Sequence, residues 1–173
     1  MKFAICAGHG KNDTGASYEG YTERDLMVLF RDKIAGSLRE LGHTVVTDGD
    51  KGQNLPLNDA IKLIKGCDVA IELHTNASEN KFAEGVEALS LEKDKVLSQR
   101  LCNTVSKCLL SKVRGDGGWK SQEESARGKL GFVSAGGIIL EVFFLSSPKE
   151  LRKFLISESL LARNIAILLH TLK

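Results

Sequence analysis

The stretch Gly136-Gly-Ile-Ile-Leu-Glu-Val-Phe-Phe-Leu-Ser146, GGIILEVFFLS, is the most hydrophobic in the chain, and its reading decides the fold. It is apolar almost throughout rather than alternating, so it reads as a strand covered on both faces and therefore central in a sheet. Upstream, EGVEALSL (84–91) alternates as a strand, CDVAIELH (67–74) is a nearly continuous apolar strand, HTVVTD (43–48) is another, and residues 2–7 form the first. Helical patterns lie between them. In YTERDLMVLFRDKIAGSLRELGH (21–43), Leu26, Phe30, Ile34, Leu38 and Leu41 recur at helical spacing. Thr22 suits the N-cap, Asp25 can close a capping box, and Gly42 marks the end. Residues 56–65 give a short helix stopped by Gly66. A longer one spans 93–112, with Leu97, Leu101, Val105 and Cys108 on one stripe. Two helices are expected at the end, a short one after Pro148 and a second over 155–172 with Leu161, Ile165, Leu168 and Leu172 inward. Residues 113–137 hold seven of the 17 glycines and read as a long loop with one short strand.

Strands alternating with helices predict a single-domain, three-layer α/β/α sandwich with a mostly parallel or mixed central sheet of five to six strands. The 173 residues suffice for one core, and no repeat, linker or low-complexity tract divides them. A net charge of +2 gives no case for nucleic acid as a partner. No apolar run approaches the ~20 residues of a membrane span, so no membrane insertion is expected. The N-terminus MKFAICAGHG is too weakly apolar for a signal peptide, which points to synthesis in the cytoplasm. Cys6, Cys67, Cys102 and Cys108 are irregularly spaced and read as small core residues rather than disulfides or metal ligands.

In α/β sheets the functional groups gather at the carboxyl ends of the strands. The first strand leads into a glycine-rich loop, CAGHGKNDTGA (6–16), with His9 in its middle. The 67–74 strand ends at His74, and Glu141 lies in an otherwise apolar run. Glu23, at the start of the first helix, is directed to the same edge. A carboxylate in a buried strand is expensive unless it is paired, protonated or near a metal. Two histidines and two carboxylates on one rim fit one catalytic Zn2+ ion with three protein ligands, a water and a carboxylate base. Asn12, Glu72 and Asn76 are candidates for supporting or substrate-binding roles, and Trp119 for lining a substrate groove. His43 and His170 fall outside this set. Two competing readings are a carboxypeptidase-like zinc hydrolase and a nucleotide-binding module. The first lacks its H-x-x-E pair, since Asn12 and Ala77 stand where the glutamate would, and the second lacks both G-x-G-x-x-G and a P-loop.

AGHGKNDTGA, GYTERDLM, IELHTNAS, GVEAL and IILEVFFLSS follow, in order, the pattern of zinc-dependent N-acetylmuramoyl-L-alanine amidases of the amidase-3 type, a resemblance that runs from residue 2 to about 155. It implies zinc ligation by His9, Glu23 and His74, a catalytic Glu141, and hydrolysis of the muramoyl–L-alanine amide of peptidoglycan. One catalytic domain over residues 1–173 is expected, without a separate wall-binding domain and acting as a monomer on the cell wall. Such a bare domain looks most like a phage endolysin released through the membrane. Departures from the family pattern fall at Ala7, at Glu72, after the second strand (TDGDKG) and at FFLSSP.

Overall fold

The first strand, β1 (Lys2–Ala7), carries a wholly apolar interior, and the computed structural model, which describes residues 1–10, 12–49, 52–125 and 128–172, builds outward from it. A two-residue ribbon, β2 (Ser17–Tyr18) with β3 (Tyr21–Thr22), interrupts the glycine loop that the sequence pattern left irregular. Helix α1 (Glu23–Glu40) starts where its cap predicts, with Asp25 N donating to Thr22 Oγ1 at 3.1 Å. Then follow β4 (Thr44–Thr47), α2 (Leu57–Ile64), β5 (Val69–Asn76), β6 (Glu87–Leu89), α3 (Lys95–Leu109), β7 (Trp119–Lys120), a one-turn α4 (Gly131–Ser134), β8 (Ile138–Phe144) and α5 (Pro148–His170). Of the expected 113–137 loop, residues 126 and 127 lie outside the described residues, as does residue 11 of the glycine loop.

Six strands form one sheet in the order β4-β1-β5-β8-β6-β7. All neighbours run parallel except β8 and β6, so the expected mixed sheet is observed, with β8 in its interior. The two faces are unequal. Helices α1, α3 and α5 cover one face over a large core that includes Phe3, Ile5, Phe30, Leu140 and Phe154. Only α2 and α4 cover the other, over a small core of Ala4, Cys6, Ala60, Ala70, Phe132 and Ile139. Strand side chains alternate between the two faces. Glu72, His74, Glu87 and Glu141 share the parity of Ala70, Leu89 and Ile139, and so emerge on the thinly covered side.

One expectation is corrected. The chain ends in a single 23-residue helix, not two. Pro148 sits in its first turn, where its missing N–H costs nothing. From there Leu151, Phe154, Leu161, Ala162, Ile165 and Leu169 run along one buried stripe, and no glycine or proline interrupts it. Leu41, expected inward, caps α1 and is exposed. The four cysteines are free thiols, with Cys6 and Cys102 buried and Cys67 and Cys108 half-buried. Burial pushes the Cys102 thiol up to about 12, so it is inert as a nucleophile. Among the described residues no helix is long and apolar enough to cross a membrane.

Candidate metal centre

Because β1, β5 and β8 are parallel, their carboxyl ends open at one edge of the sheet, and the N-terminus of α1 returns to that edge through the β2–β3 ribbon. His9, Glu23 and His74 meet there. Glu23 stands between the two imidazoles, with Oε2 3.0 Å from His9 Nε2 and Oε1 3.0 Å from His74 Nδ1. Backbone donors fix the carboxylate: Ala16 N donates to Oε2 at 3.1 Å and Thr75 N to Oε1 at 2.9 Å. One ligand atom from each of the three residues lies within 4.8 Å of the others. Four donors at ~2.0–2.1 Å around a tetrahedral ion are about 3.3 Å apart, so the spacing and donor chemistry of this trio suit a single ion.

The outward nitrogens of both histidines also face carboxylates. His9 Nδ1 lies 2.8 Å from Asp13 Oδ2, and His74 Nε2 lies 3.1 Å from Glu72 Oε2. Partners of this kind fix the tautomer and the ring orientation of metal-binding histidines. Glu72 thus stands beside His74, as its place two residues earlier on the strand predicts. The residue that meets His9 is Asp13, not its neighbour Asn12. Asn12 is exposed and does not line the cavity described below. Asp13 also accepts Gly15 N at 2.9 Å, an Asx turn that the run Asn-Asp-Thr-Gly signals.

Electrostatically the trio is a tightly paired cluster. Burial alone would raise the Glu23 carboxyl, but the hydrogen bonds from His74 and His9 prevail and hold it far below the usual carboxylate range. Burial would lower both imidazoles. His9 is instead held above its ordinary value by Glu23 and Asp13, and His74 well above it by Glu23, Glu72 and Glu141. The surrounding carboxylates thus favour the protonated imidazoles, and a bound ion would compete with those protons.

Two glycines make room for this geometry. A Cβ on Gly8 would stand 2.1 Å from Cε1 of the His74 ring, and one on Gly15, whose φ is +64°, would stand 2.6 Å from both Glu23 Oε2 and His9 Cδ2. His9 itself takes φ +64°, a left-handed conformation that costs a non-glycine residue ~1–2 kcal/mol.

On the open side lies a cavity of about 710 Å³, lined by His9, Asp13, Glu23, His74, Asn76, Glu87, Lys120 and Glu141 among others. Across the strands His74, Glu141 and Glu87 form one row in register. Glu87 accepts from Lys120 Nζ at 2.8 Å, Arg114 Nε at 2.6 Å and Asn76 Nδ2 at 3.2 Å, and these bonds hold its carboxyl low despite its burial. Asn76 is therefore at the site, bonded to the cavity wall. Trp119 is not in the lining: its Nε1 donates to Ser90 Oγ at 3.1 Å and Lys95 Nζ sits 4.5 Å from the centre of its ring. Lys120, the next residue on β7, points into the cavity instead. His43 and His170 pair with each other at 3.0 Å, at the amino end of β4.

Comparison with known proteins places the chain in a family. No curated protein sequence matches the chain. A crystal structure of a candidate N-acetylmuramoyl-L-alanine amidase from Neisseria meningitidis superposes with a TM-score of 0.90 at 41 % identity, covering 97 % of this chain and 93 % of that one. The catalytic domain of CD27L, an endolysin targeting Clostridia difficile, gives a TM-score of 0.72 at 25 % identity over 95 % of this chain and 94 % of its own. An N-acetylmuramoyl-L-alanine amidase from Clostridium difficile 630 shares the fold, with a TM-score of 0.82 at 24 % identity, covering 97 % and 94 % of the two chains. The family model Amidase_3, N-acetylmuramoyl-L-alanine amidase, matches residues 3–168, nearly the entire chain, and the chain belongs to that family.

Proposed function

We propose that the chain hydrolyses the amide between the lactyl group of N-acetylmuramic acid and the L-alanine of the peptidoglycan stem, with one zinc ion held by His9, Glu23 and His74. The observation that carries this reading is the trio itself: two imidazoles and a carboxylate, each histidine backed by a further carboxylate, opening onto a cavity. That donor set, with one side open, is the pattern of catalytic zinc sites. When bound, such an ion lowers the pKa of a water from ~16 toward ~7 and polarises the scissile carbonyl.

The chain's own groups supply the rest. Glu141 faces the cavity beside His74, in register with it on the neighbouring strand. It takes the proton of the attacking water and returns it to the nitrogen of L-alanine as the C–N bond breaks. Asp13 and Glu72 keep the outward nitrogens of His9 and His74 occupied, which leaves Nε2 of one and Nδ1 of the other as the atoms that would hold the ion. Lys120, Glu87 and Asn76 form the far wall against which the stem peptide lies. All these groups come from one chain, so a monomer contains the complete site.

Digestion of purified peptidoglycan tests the reading. New N-terminal alanine should appear without new reducing sugar, stop on chelation and return with zinc. Release of reducing ends, or activity indifferent to chelation, would contradict it.

A further inference from the structure

Behind the glycine loop lies a buried polar network that the site above does not use. Arg31 and Asp48 are fully buried and Asn54 nearly so. Arg31 projects from the buried face of α1, between Met27 and Ile34, into the interior, where its Nε and Nη2 also meet Asp32 Oδ1 at 2.9 and 2.8 Å. Its Nη1 donates to Asp48 Oδ1 at 2.9 Å and to Asn54 Oδ1 at 3.0 Å, and its Nη2 donates to Gln53 O at 2.9 Å.

On its far side, among the described residues, the network holds the backbone leading to His9. The two carboxylate oxygens of Asp48 accept Ala7 N at 3.2 and 3.1 Å. Asn54 Nδ2 lies within hydrogen-bonding distance of three successive carbonyls, Ala7 O at 2.9 Å, Gly8 O at 3.1 Å and His9 O at 2.6 Å. The last sheet bond of this segment, Gly8 N to Leu73 O at 2.8 Å, precedes His9, so the histidine lies beyond the ladder. It nevertheless adopts φ +64°, which an L-residue takes only when its surroundings hold it there. The shortest Asn54 contact is to the carbonyl of His9 itself.

We propose that Asn54 is a positioning residue for the metal centre: oriented by Arg31 and Asp48, it locks the carbonyls of Ala7, Gly8 and His9 so that His9 Nε2 is held toward Glu23 and His74. A buried ion pair is weak evidence for stability alone, since apolar replacements often match it. Its connection through Asn54 to a strained histidine gives this one a specific task. The inference rests on the zinc reading above.

The test is metal affinity measured by chelator competition, together with the visible spectrum of the cobalt-substituted protein, for wild type, Asn54→Ala and Asn54→Ser. Asn54→Ala should weaken binding roughly 10–100-fold, the range for losing a group that supports a ligand, and alter the cobalt bands. Asn54→Ser, which keeps one donor, should recover part of both. Ile165→Val, on a helix away from the loop, controls for general destabilisation and should leave both readouts unchanged. Where Asn54→Ala is too unstable to purify, Asn54→Ser carries the same comparison. Folded Asn54 variants that match wild type within about twofold, with unchanged bands, would overturn the positioning role while the zinc reading stands. A wild-type chain that takes up no metal would overturn both.

Discussion

At the scale of the residue, the site depends on what is missing as much as on what is present. Gly8 has no Cβ, and one placed there would overlap the His74 ring. Gly8→Ala should therefore displace His74 and weaken metal binding at least about tenfold while the far-UV circular dichroism stays native; a metal titration measures this. Glu141→Gln keeps the shape and removes the base, so kcat on peptidoglycan should fall roughly 10²–10⁴-fold at unchanged zinc stoichiometry. His9, Glu23, His74 and Glu141 could be picked out of the sequence as candidates, because each is a titratable group at a strand end, at a helix start or inside an apolar run, and the fold brings them to one rim. Asp13 and Asn54 were not. Both sit in polar loop segments where any one residue looks like its neighbours, and only the fold shows which carboxylate or amide reaches the histidine. Arg31 did leave a signal, a charge on the inward stripe of α1 between Met27 and Ile34, but its partners Asp48 and Asn54 lie 17 and 23 positions away.

At the scale of the element, periodicity identified five of the six strands of the main sheet and the cap of α1, since these patterns follow directly from burial on one or both faces; β7, two residues long, is expected only as an unplaced short strand within 113–137. It failed where tertiary packing decides. The ribbon β2–β3 is two residues per strand, too short to carry a pattern. α5 was split in two because its early turns mix lysine, arginine and serine into the stripe; the continuous burial of Leu151, Phe154 and Leu161 joins them. Phe154 is the hinge of that packing, stacked on Phe143 with ring centres 4.6 Å apart and edge-on to Phe30 at 5.2 Å. Phe154→Ala should cost about 3–5 kcal/mol by urea unfolding. A cost below ~1 kcal/mol would mean that α5 is not seated along its length.

At the scale of the whole molecule, the unequal helix layers explain where the chemistry sits. The heavy layer stabilises the sheet, while the light one leaves its carboxyl edge open above His74 and Glu141. The site's charge also couples metal binding to pH. The raised imidazoles of His9 and His74 stabilise the metal-free fold fully below their ordinary value of 6.5, and that contribution is lost as pH climbs through their raised values. Zinc must displace those same protons, so its affinity rises over the same range. The gain in Tm on adding zinc should therefore widen from pH 6.5 upward in calorimetric scans; a gain independent of pH would count against histidine ligation. Ligation by His9, Glu23 and His74 can be seen in an anomalous difference map at the zinc edge from crystals of the zinc-loaded protein. One peak should lie at about 2.0–2.2 Å from His9 Nε2, His74 Nδ1 and a Glu23 oxygen, open toward Glu141. A peak bound through His74 Nε2 and Glu72, or none at this edge of the sheet, would contradict it.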